Sequence, residues 1–106
     1  MAYLVNGIAQ ASELGKKFNQ LAHVVIPGVM KWRYTFDNDW SGDPAVFFWV
    51  ILTDEASKPQ NLPRAKAAFM AKINNHVDLP GQWGLIPYFN FRSRSEQAKL
   101  KDAVYE

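Results

Sequence analysis

Residues 29–53 decide the fold of this chain, and they read VMKWRYTFDNDWSGDPAVFFWVILT. From residue 29 to residue 37 the side chains alternate, which predicts a strand with one buried and one wet face. The buried side would carry Met30, Trp32, Tyr34 and Phe36, and the wet side Lys31, Arg33, Thr35 and Asp37. Residues 45–53 are apolar on both faces, which is typical of a central strand covered above and below. The turn-forming residues between the two runs predict an antiparallel hairpin.

One helix is predicted before this hairpin in the sequence and a second helix after it. The first covers residues 7–24, with Asn6 as its N-cap. Its apolar side chains recur at spacings of three and four: Ile8, Ala11, Leu14, Phe18, Leu21 and Val25. Gly15 would allow this helix to approach the sheet closely. The second helix follows a cap at Asn61, with Pro63 in its first turn. Its buried stripe is Leu62, Ala65, Phe69, Ile73 and Val77.

The rest of the chain predicts one more strand and one more helix. Residues 79–84 are rich in turn formers, and residues 85–91 read as a strand. Pro87 inside that strand cannot donate to a ladder, so the strand belongs at an edge of the sheet. A short helix over residues 95–105 is begun by Ser93, with Glu96 three residues on, as in a capping box.

The predicted architecture is a single α+β domain spanning residues 1–106, with element order α-β-β-α-β-α. We expect a two-layer sandwich in which a three-stranded mixed sheet, in strand order 1-2-3, carries its helices mainly on one face. Strand 3 can lie parallel or antiparallel to strand 2; if parallel, its crossover is expected to be right-handed. In outline this arrangement is similar to ferredoxin-like and KH-like domains, a likeness of shape that implies no function.

Composition indicates a soluble, folded chain. Of the 106 residues, 48% are hydrophobic and 14% aromatic, and there is no cysteine, so neither disulfides nor thiolate chemistry are available. The N-terminus does not resemble a secretory signal, and the longest apolar run is too short to cross a bilayer. We therefore expect a cytoplasmic protein without membrane contact or cofactor. The net charge is only +2, and the basic residues are scattered rather than gathered into a stripe.

The second apolar face of strand 2 predicts a partner. Helices 1 and 2 can bury only one face, so the last helix or another molecule must cover the other. We expect a homodimer or a hetero-complex, because large exposed apolar patches mark interaction sites. The predicted interface comprises Phe47, Trp49 and Ile51, with Trp40 and Trp83 as loop anchors.

The loop between strands 1 and 2 resembles the opening of a calcium-binding loop. Asp37, Asp39 and Ser41 offer oxygen ligands at positions one, three and five, Gly42 follows at six, and Asp43 is the next residue. The match fails at position twelve, where a bidentate glutamate is needed. The alternative is that these residues simply form a polar turn.

Residues 92–95 form a second polar cluster, where strand 3 passes into the last helix. Arg92, Ser93, Arg94 and Ser95 would suit an anion at a helix N-terminus. In the alternative interpretation the serines cap the helix, and one of the arginines pairs with Asp54 or Glu55.

No catalytic residues can be assigned from the sequence. His23 and His76 lie near predicted helix ends, where a protonated imidazole is favourable, and no metal-ligand spacing or nucleophile elbow is present. We expect a non-enzymatic protein-binding module, an accessory or antidote-like partner of a larger bacterial protein. The first alternative is a nucleic-acid-binding domain that uses Lys31, Arg33, Arg92 and Arg94. The second is a metal-dependent protein or enzyme built on the aspartates of residues 37–43.

Overall fold

A computed structural model describes the backbone of residues 2–106 and the side chains of residues 12–106. Its elements in chain order are α1 (Ala2–Leu21), β1 (Val29–Asn38), β2 (Pro44–Leu52), α2 (Leu62–His76), α3 (Leu79–Trp83), β3 (Ile86–Ser93), α4 (Arg94–Leu100) and a 3₁₀ turn (Ala103–Tyr105). The predicted α+β order is confirmed. The structure adds α3, a short helix in the segment that was predicted to consist of turns. Asp78 is its N-cap, and its side chain accepts a hydrogen bond from Gly81 N. Gly84 is its C-cap and adopts the left-handed conformation.

The three strands form one mixed sheet in the order β1-β2-β3, as predicted. β1 and β2 pair antiparallel, with Tyr34 opposite Phe48. β2 and β3 pair parallel, with Phe48 opposite Phe89. The sequence left the direction of strand 3 undecided, and the structure shows that it runs parallel to β2. The C-terminal ends of β2 and β3 therefore lie at the same end of the sheet.

The helix-facing side of β2 forms the centre of the core. Its side chains are fully buried: Val46, Phe48, Val50 and Leu52. The ring of Phe48 lies 5.3 Å from that of Phe18 in α1 and 5.9 Å from that of Phe69 in α2, centroid to centroid. It also stacks on Phe89 of β3 at 5.0 Å. Both long helices therefore pack on the same strand through aromatic contacts.

Helix α2 matches its predicted stripe closely. Ala65, Phe69, Ile73 and Val77 are buried, and Leu62 packs partly buried against the same cluster. Asn61 is the N-cap residue, but its side chain makes no capping bond. Instead its amide Nδ2 donates to the carbonyl of Glu55 at 2.9 Å, which ties the preceding loop together.

Helix α1 differs from the prediction at both ends. It begins at Ala2, so Asn6 lies within the helix rather than at its N-cap. It ends at Leu21, so the predicted core residue Val25 falls in the following turn and is 88% exposed, while Ile26 is buried in its place. Leu14, Phe18 and Leu21 are buried as predicted; the side chains of Ile8 and Ala11 lie outside the described set.

Gly15 allows the predicted close approach of α1 to the sheet. A methyl group there would lie 3.0 Å from the hydroxyl oxygen of Tyr34, a tight contact. That hydroxyl donates to the Gly15 carbonyl at 3.4 Å. Glycine thus lets the helix backbone rest directly on an aromatic side chain of β1.

Met30 is the one predicted core residue of β1 that is largely exposed, at 48%. The register between β1 and β2 shifts between Val29 and Lys31. Such a bulge breaks the alternation of side chains locally, so Val29 packs against the core in place of Met30. Trp32, Tyr34 and Phe36 keep the predicted side and are partly buried against the core.

The last helix is shorter than predicted. Ser93 and Glu96 form the predicted capping box, with Glu96 N donating to Ser93 Oγ at 3.1 Å. The helix ends at Leu100 because Lys101 adopts a left-handed conformation, with φ of 50°. The chain then forms the separate 3₁₀ turn. No helix in the described part of the chain is long and apolar enough to cross a membrane.

Replacing Phe48 by alanine should cost about 3–5 kcal/mol of unfolding free energy, because the cavity would open between both long helices. Chemical denaturation measures the loss. Met70→Ala on the exposed side of α2 is the control, since that side chain is 37% exposed and should change stability by less than about 1 kcal/mol. Equal losses in the two variants would contradict a core centred on Phe48.

Candidate interaction surface on the sheet

The sheet face opposite the α1 and α2 helices, called the open face below, is a regular array of side chains. Strand register aligns four rows across β1, β2 and β3: Asp37, Ala45 and Ile86; Thr35, Phe47 and Tyr88; Arg33, Trp49 and Asn90; Lys31, Ile51 and Arg92. Directly opposed residues of paired strands share a face. The central strand therefore presents an apolar column, and β1 presents a polar one.

The C-terminal residues 101–106, the strap, cover one end of the open face. Tyr105 is buried, and its ring packs edge-on against Trp49 at 5.5 Å. The guanidinium carbon of Arg92 lies 4.2 Å from the Tyr105 ring centroid, and Lys31 Nζ donates to the Glu106 carbonyl at 3.0 Å. Burial raises the pKa of Tyr105, although the nearby Arg92 opposes that shift. Ile51, a predicted interface residue, is buried at this covered end.

The strap is held by a buried amide. Gln97 is buried in α4, and its Nε2 donates to the Asp102 carbonyl at 2.8 Å and to Glu106 Oε1 at 2.7 Å. Arg92 Nη1 donates to Gln97 Oε1 at 3.0 Å and lies 3.6 Å from Asp102 Oδ2. The tail therefore covers part of the open face, as one of the two predicted alternatives requires, but it does so as a 3₁₀ turn rather than as a helix.

The other end of the open face holds four aromatic side chains, which we call the aromatic shelf: Trp40, Phe47, Trp49 and Tyr88. Phe47 stacks on Tyr88 at 5.1 Å and on Trp49 at 6.1 Å, with interplanar angles of 16° and 17°. Trp40 lies 5.1 Å from Tyr88 and is 82% exposed. Phe47, Trp49 and Tyr88 are half-buried. The shelf is thus a continuous aromatic surface that reaches solvent.

Hydrogen bonds hold two of the shelf rings in place. Trp49 Nε1 donates to Thr35 Oγ1 at 3.0 Å, and Tyr88 Oη donates to Asp39 Oδ2 at 2.8 Å. The Tyr88 bond lowers the pKa of Asp39, helped by the backbone N–H groups of Asp43, Ser41 and Gly42. The same carboxylate raises the pKa of Tyr88. Trp49 and Tyr88 are therefore oriented before any partner arrives.

The predicted calcium-type loop has the geometry of a polar turn. Asp39 Oδ1 accepts from Ser41 N and Asp43 N, both at 2.9 Å, while Oδ2 accepts from Tyr88. Asp37 Oδ1 accepts from Asn38 N. Among residues 12–106, no three histidine or acidic side chains gather closely enough to hold a metal ion. The sequence-based cation site at Asp37, Asp39, Ser41 and Asp43 therefore stays a prediction to which the structure adds no convergent ligand set.

The predicted anion site is lined by groups that already have partners. Ser95 N and Ser95 Oγ donate to the two carboxylate oxygens of Asp54, at 2.9 and 2.6 Å, and these bonds lower the pKa of Asp54. Ser93 caps α4, and Arg92 points to Asp102 and Gln97 rather than to Asp54 or Glu55. Arg94 is exposed and near Asp54. An internal carboxylate thus sits where an external anion was predicted.

The structure brings together some predicted interface residues and separates others. Trp40, Phe47 and Trp49 meet in the shelf, and Ile51 lies beyond them under the strap. Trp83 is elsewhere: it packs half-buried against the core on the helix side, and its Nε1 is buried without a hydrogen-bond partner in the part of the chain with described side chains. It does not contribute to the open face.

Tyr88 and Tyr105 are the aromatic residues of the open face that the sequence prediction missed. Alternation within β3 carries a signal for Tyr88, because Phe89, Phe91 and the capping Ser93 occupy the other parity. Tyr105 lies in a short irregular segment without periodicity, so no local pattern points to its position over Trp49.

Asp39→Asn should flatten the acid limb of the stability curve. The folded state holds the pKa of Asp39 below its ordinary value, so this carboxylate stabilises the fold at neutral pH. That contribution disappears as the pH falls from about 5 towards about 3. Thermal melts across this range measure it. Asp37→Asn is the control, since its described side-chain bond reaches only its neighbour; identical acid limbs in all three proteins would contradict the role of Asp39.

Ser93→Ala should lower the free energy of unfolding by about 1 kcal/mol, because it removes the cap of α4. Denaturant unfolding measures the change. Ser93→Thr should retain most of the stability, since threonine keeps a hydroxyl that accepts from the N3 amide and donates to Glu96 Oε1. If both variants lose the same amount, packing of the buried Ser93 rather than capping is responsible.

Comparison with known proteins does not extend these observations. No protein-family model, no curated protein and no solved structure gives a significant match to this chain.

Proposed function

We propose that this chain is a non-enzymatic protein-binding module whose partner docks on the aromatic shelf. The carrying observation is Trp40, which is 82% exposed yet held against Tyr88, at the end of the open face that the strap leaves uncovered. Large aromatic side chains dominate binding energy at protein interfaces. An exposed indole on a stacked aromatic surface has the character of such an anchor.

The fixed geometry of the shelf favours binding. Thr35 and Asp39 hold Trp49 and Tyr88 through hydrogen bonds, and Phe47 is stacked between these two rings. Ordering side chains on association costs about 0.5–1.5 kcal/mol for each flexible group. Rings that are already oriented avoid much of this cost, so less of the free energy gained from burying the shelf is lost on binding.

Charges around the shelf favour a protein partner over a nucleic acid. The carboxylates of Asp37 and Asp43 flank its loop end, and both Asp39 and Asp43 act on the Tyr88 hydroxyl. Two of the four basic residues proposed for nucleic-acid contact, Lys31 and Arg92, are paired with acidic groups of the strap. Phosphates gain little at such a surface. A partner segment with apolar and basic side chains suits it better.

Trp40→Ala should abolish partner binding while leaving the fold intact. The side chain is mostly exposed, so unfolding free energy should change by less than about 1 kcal/mol. The measurement is affinity capture from the native host, followed by titration of the identified, purified partner against both proteins. Val25→Ala is the matched control, because Val25 is also mostly exposed, at 88%, but lies in the turn between α1 and β1. Equal affinity of the Trp40→Ala variant and the parent protein would rule out the shelf.

The nucleic-acid alternative is tested on the same protein by tryptophan fluorescence. Single-stranded oligonucleotides that stack on the shelf would quench Trp40, with an affinity that falls steeply as salt is added. We expect no such quenching at low salt. Salt-sensitive quenching that Arg33→Ala weakens would favour a nucleic-acid ligand instead.

A further inference from the structure

The outer edge of β1 is a second surface, separate from the aromatic shelf. β1 is the longest strand and lies at one side of the sheet, so its backbone groups on that side have no neighbouring strand in the described structure. Free strand edges of this kind pair readily with another chain unless something blocks them. Between Lys31 and Asn38 this edge contains neither proline nor a register shift.

We propose that two copies of this chain pair along β1, antiparallel and centred on Tyr34, to form one continuous six-stranded sheet. A two-fold axis perpendicular to the sheet relates the copies, so the same strand serves both sides of the contact. Residues 30–38 of each copy would face residues 38–30 of the other. Backbone hydrogen bonds then supply affinity, and opposed side chains set the register.

The side chains of β1 are complementary to themselves in this register. On the open face, Lys31 lies opposite the partner's Asp37, and Arg33 lies opposite the partner's Thr35. On the helix face, Trp32 lies opposite the partner's Phe36, and Tyr34 meets its own copy. Opposite charges and aromatic pairs are the combinations that stabilise antiparallel strands. The contact contains two ion pairs and no pair of like charges.

Neighbouring registers fit less well. Centring the pair on Arg33 would place two arginines directly against each other, which is destabilising. Centring it on Thr35 would set Arg33 opposite the partner's Asp37, but it would shorten the paired stretch to residues 32–38 and leave Met30 outside the contact. The Tyr34 register uses the largest part of the regular strand.

Exposure along β1 supports an interface at this edge. Trp32, Tyr34 and Phe36 belong to the core side of the sheet, yet all three remain only half-buried, and Met30 is 48% exposed. Asp37 has no cationic partner among the described side chains and accepts only from the adjacent Asn38 N–H. Lys31 Nζ donates to the Glu106 carbonyl and lies 3.6 Å from its carboxylate. An ammonium has three donors, so Lys31 can bond the partner's Asp37 while it stays bonded to the strap.

This dimer does not depend on the shelf function. The two-fold axis keeps both open faces on the same side of the extended sheet, and each shelf lies towards β3, away from the contact. The dimer would therefore present two shelves on the same face but at diagonally opposite ends of the sheet, and a partner could bind either copy.

The test is solution mass by light scattering, with charge reversal at the two opposed positions. The parent protein should give twice the 12.1 kDa mass of the chain. Lys31→Glu and Asp37→Lys should each shift the mass towards that of the monomer, because each creates two like-charge pairs. An equimolar mixture of the two variants should restore the dimer, and so should the double variant. Circular dichroism checks that each variant is folded.

Cysteine cross-linking fixes the register, and the absence of native cysteine makes it unambiguous. Opposed residues of antiparallel strands are about 4.5–5.5 Å apart between Cα atoms, which suits a disulfide. Mixing Lys31→Cys with Asp37→Cys should give a covalent dimer under mild oxidation, whereas each variant alone should cross-link far less. Trp40→Ala should leave the dimer unchanged, which separates this proposal from the shelf function.

Either of two results would overturn the proposal, as would a dimer that depends on Trp40. One is a parent protein that remains monomeric up to chain concentrations of ~1 mM. The other is a dimer whose mass is unaffected by either charge reversal and that forms no mixed disulfide between positions 31 and 37. A dimer that Trp40→Ala dissociates would instead place the self-contact on the shelf.

Discussion

The ring of Phe48 is the contact on which the rest of this structure depends. It lies on the central strand, opposite Tyr34 of β1 and Phe89 of β3, and it touches Phe18 of α1 and Phe69 of α2. Helices contact a sheet only where side chains project far enough to fill the space between the layers. Because Phe48 touches both helices, as does the neighbouring Trp32 of β1, the position of each helix determines the packing available to the other.

The two faces of the sheet are closed by different means. Aromatic and aliphatic side chains of α1 and α2 seal the helix side, whereas the other side is covered at one end by six C-terminal residues held through Gln97, Arg92 and Lys31. Polar bonds dominate the attachment of this strap, and Tyr105 supplies its buried ring. Coverage stops at Trp49. Beyond Trp49 the shelf residues lie outside the strap, and the loop carboxylate of Asp39 holds Tyr88 among them.

Much of this architecture could be predicted because it is encoded in short-range patterns. Alternation in β1, the apolar run of β2, the stripe of α2 and the Ser93–Glu96 capping box each concern residues close in sequence, and all are present. The prediction that Val25 is buried was wrong because the helical spacing of apolar residues continues past the end of α1, where the turn to β1 interrupts the helix. The prediction that Met30 lies on the buried side of β1 was wrong because the bulge at the start of this strand shifts the alternation of side chains by one position.

The site was harder to predict because its contacts join distant segments. Trp40 and two of its shelf neighbours, Phe47 and Trp49, were identifiable as apolar residues without an obvious cover. The Tyr88–Asp39 and Ser95–Asp54 bonds span 49 and 41 positions, and they follow from the parallel placement of β3, which the sequence left undecided. Once that placement is known, Asp54 at the end of β2 and Ser95 beyond the end of β3 must be neighbours.

The mixed sheet also has a consequence for the order of folding. The β1–β2 hairpin closes through a short loop, while β3 can join only after residues 53–85, including α2, have been arranged over the sheet. Contacts between residues far apart in sequence form slowly, because the entropy cost of closing the loop comes before the favourable energy of the contact. Until β3 docks, one side of the very apolar β2 is an unprotected edge. We therefore expect aggregation during synthesis to start from chains in which β3 has not yet docked, rather than from the native protein.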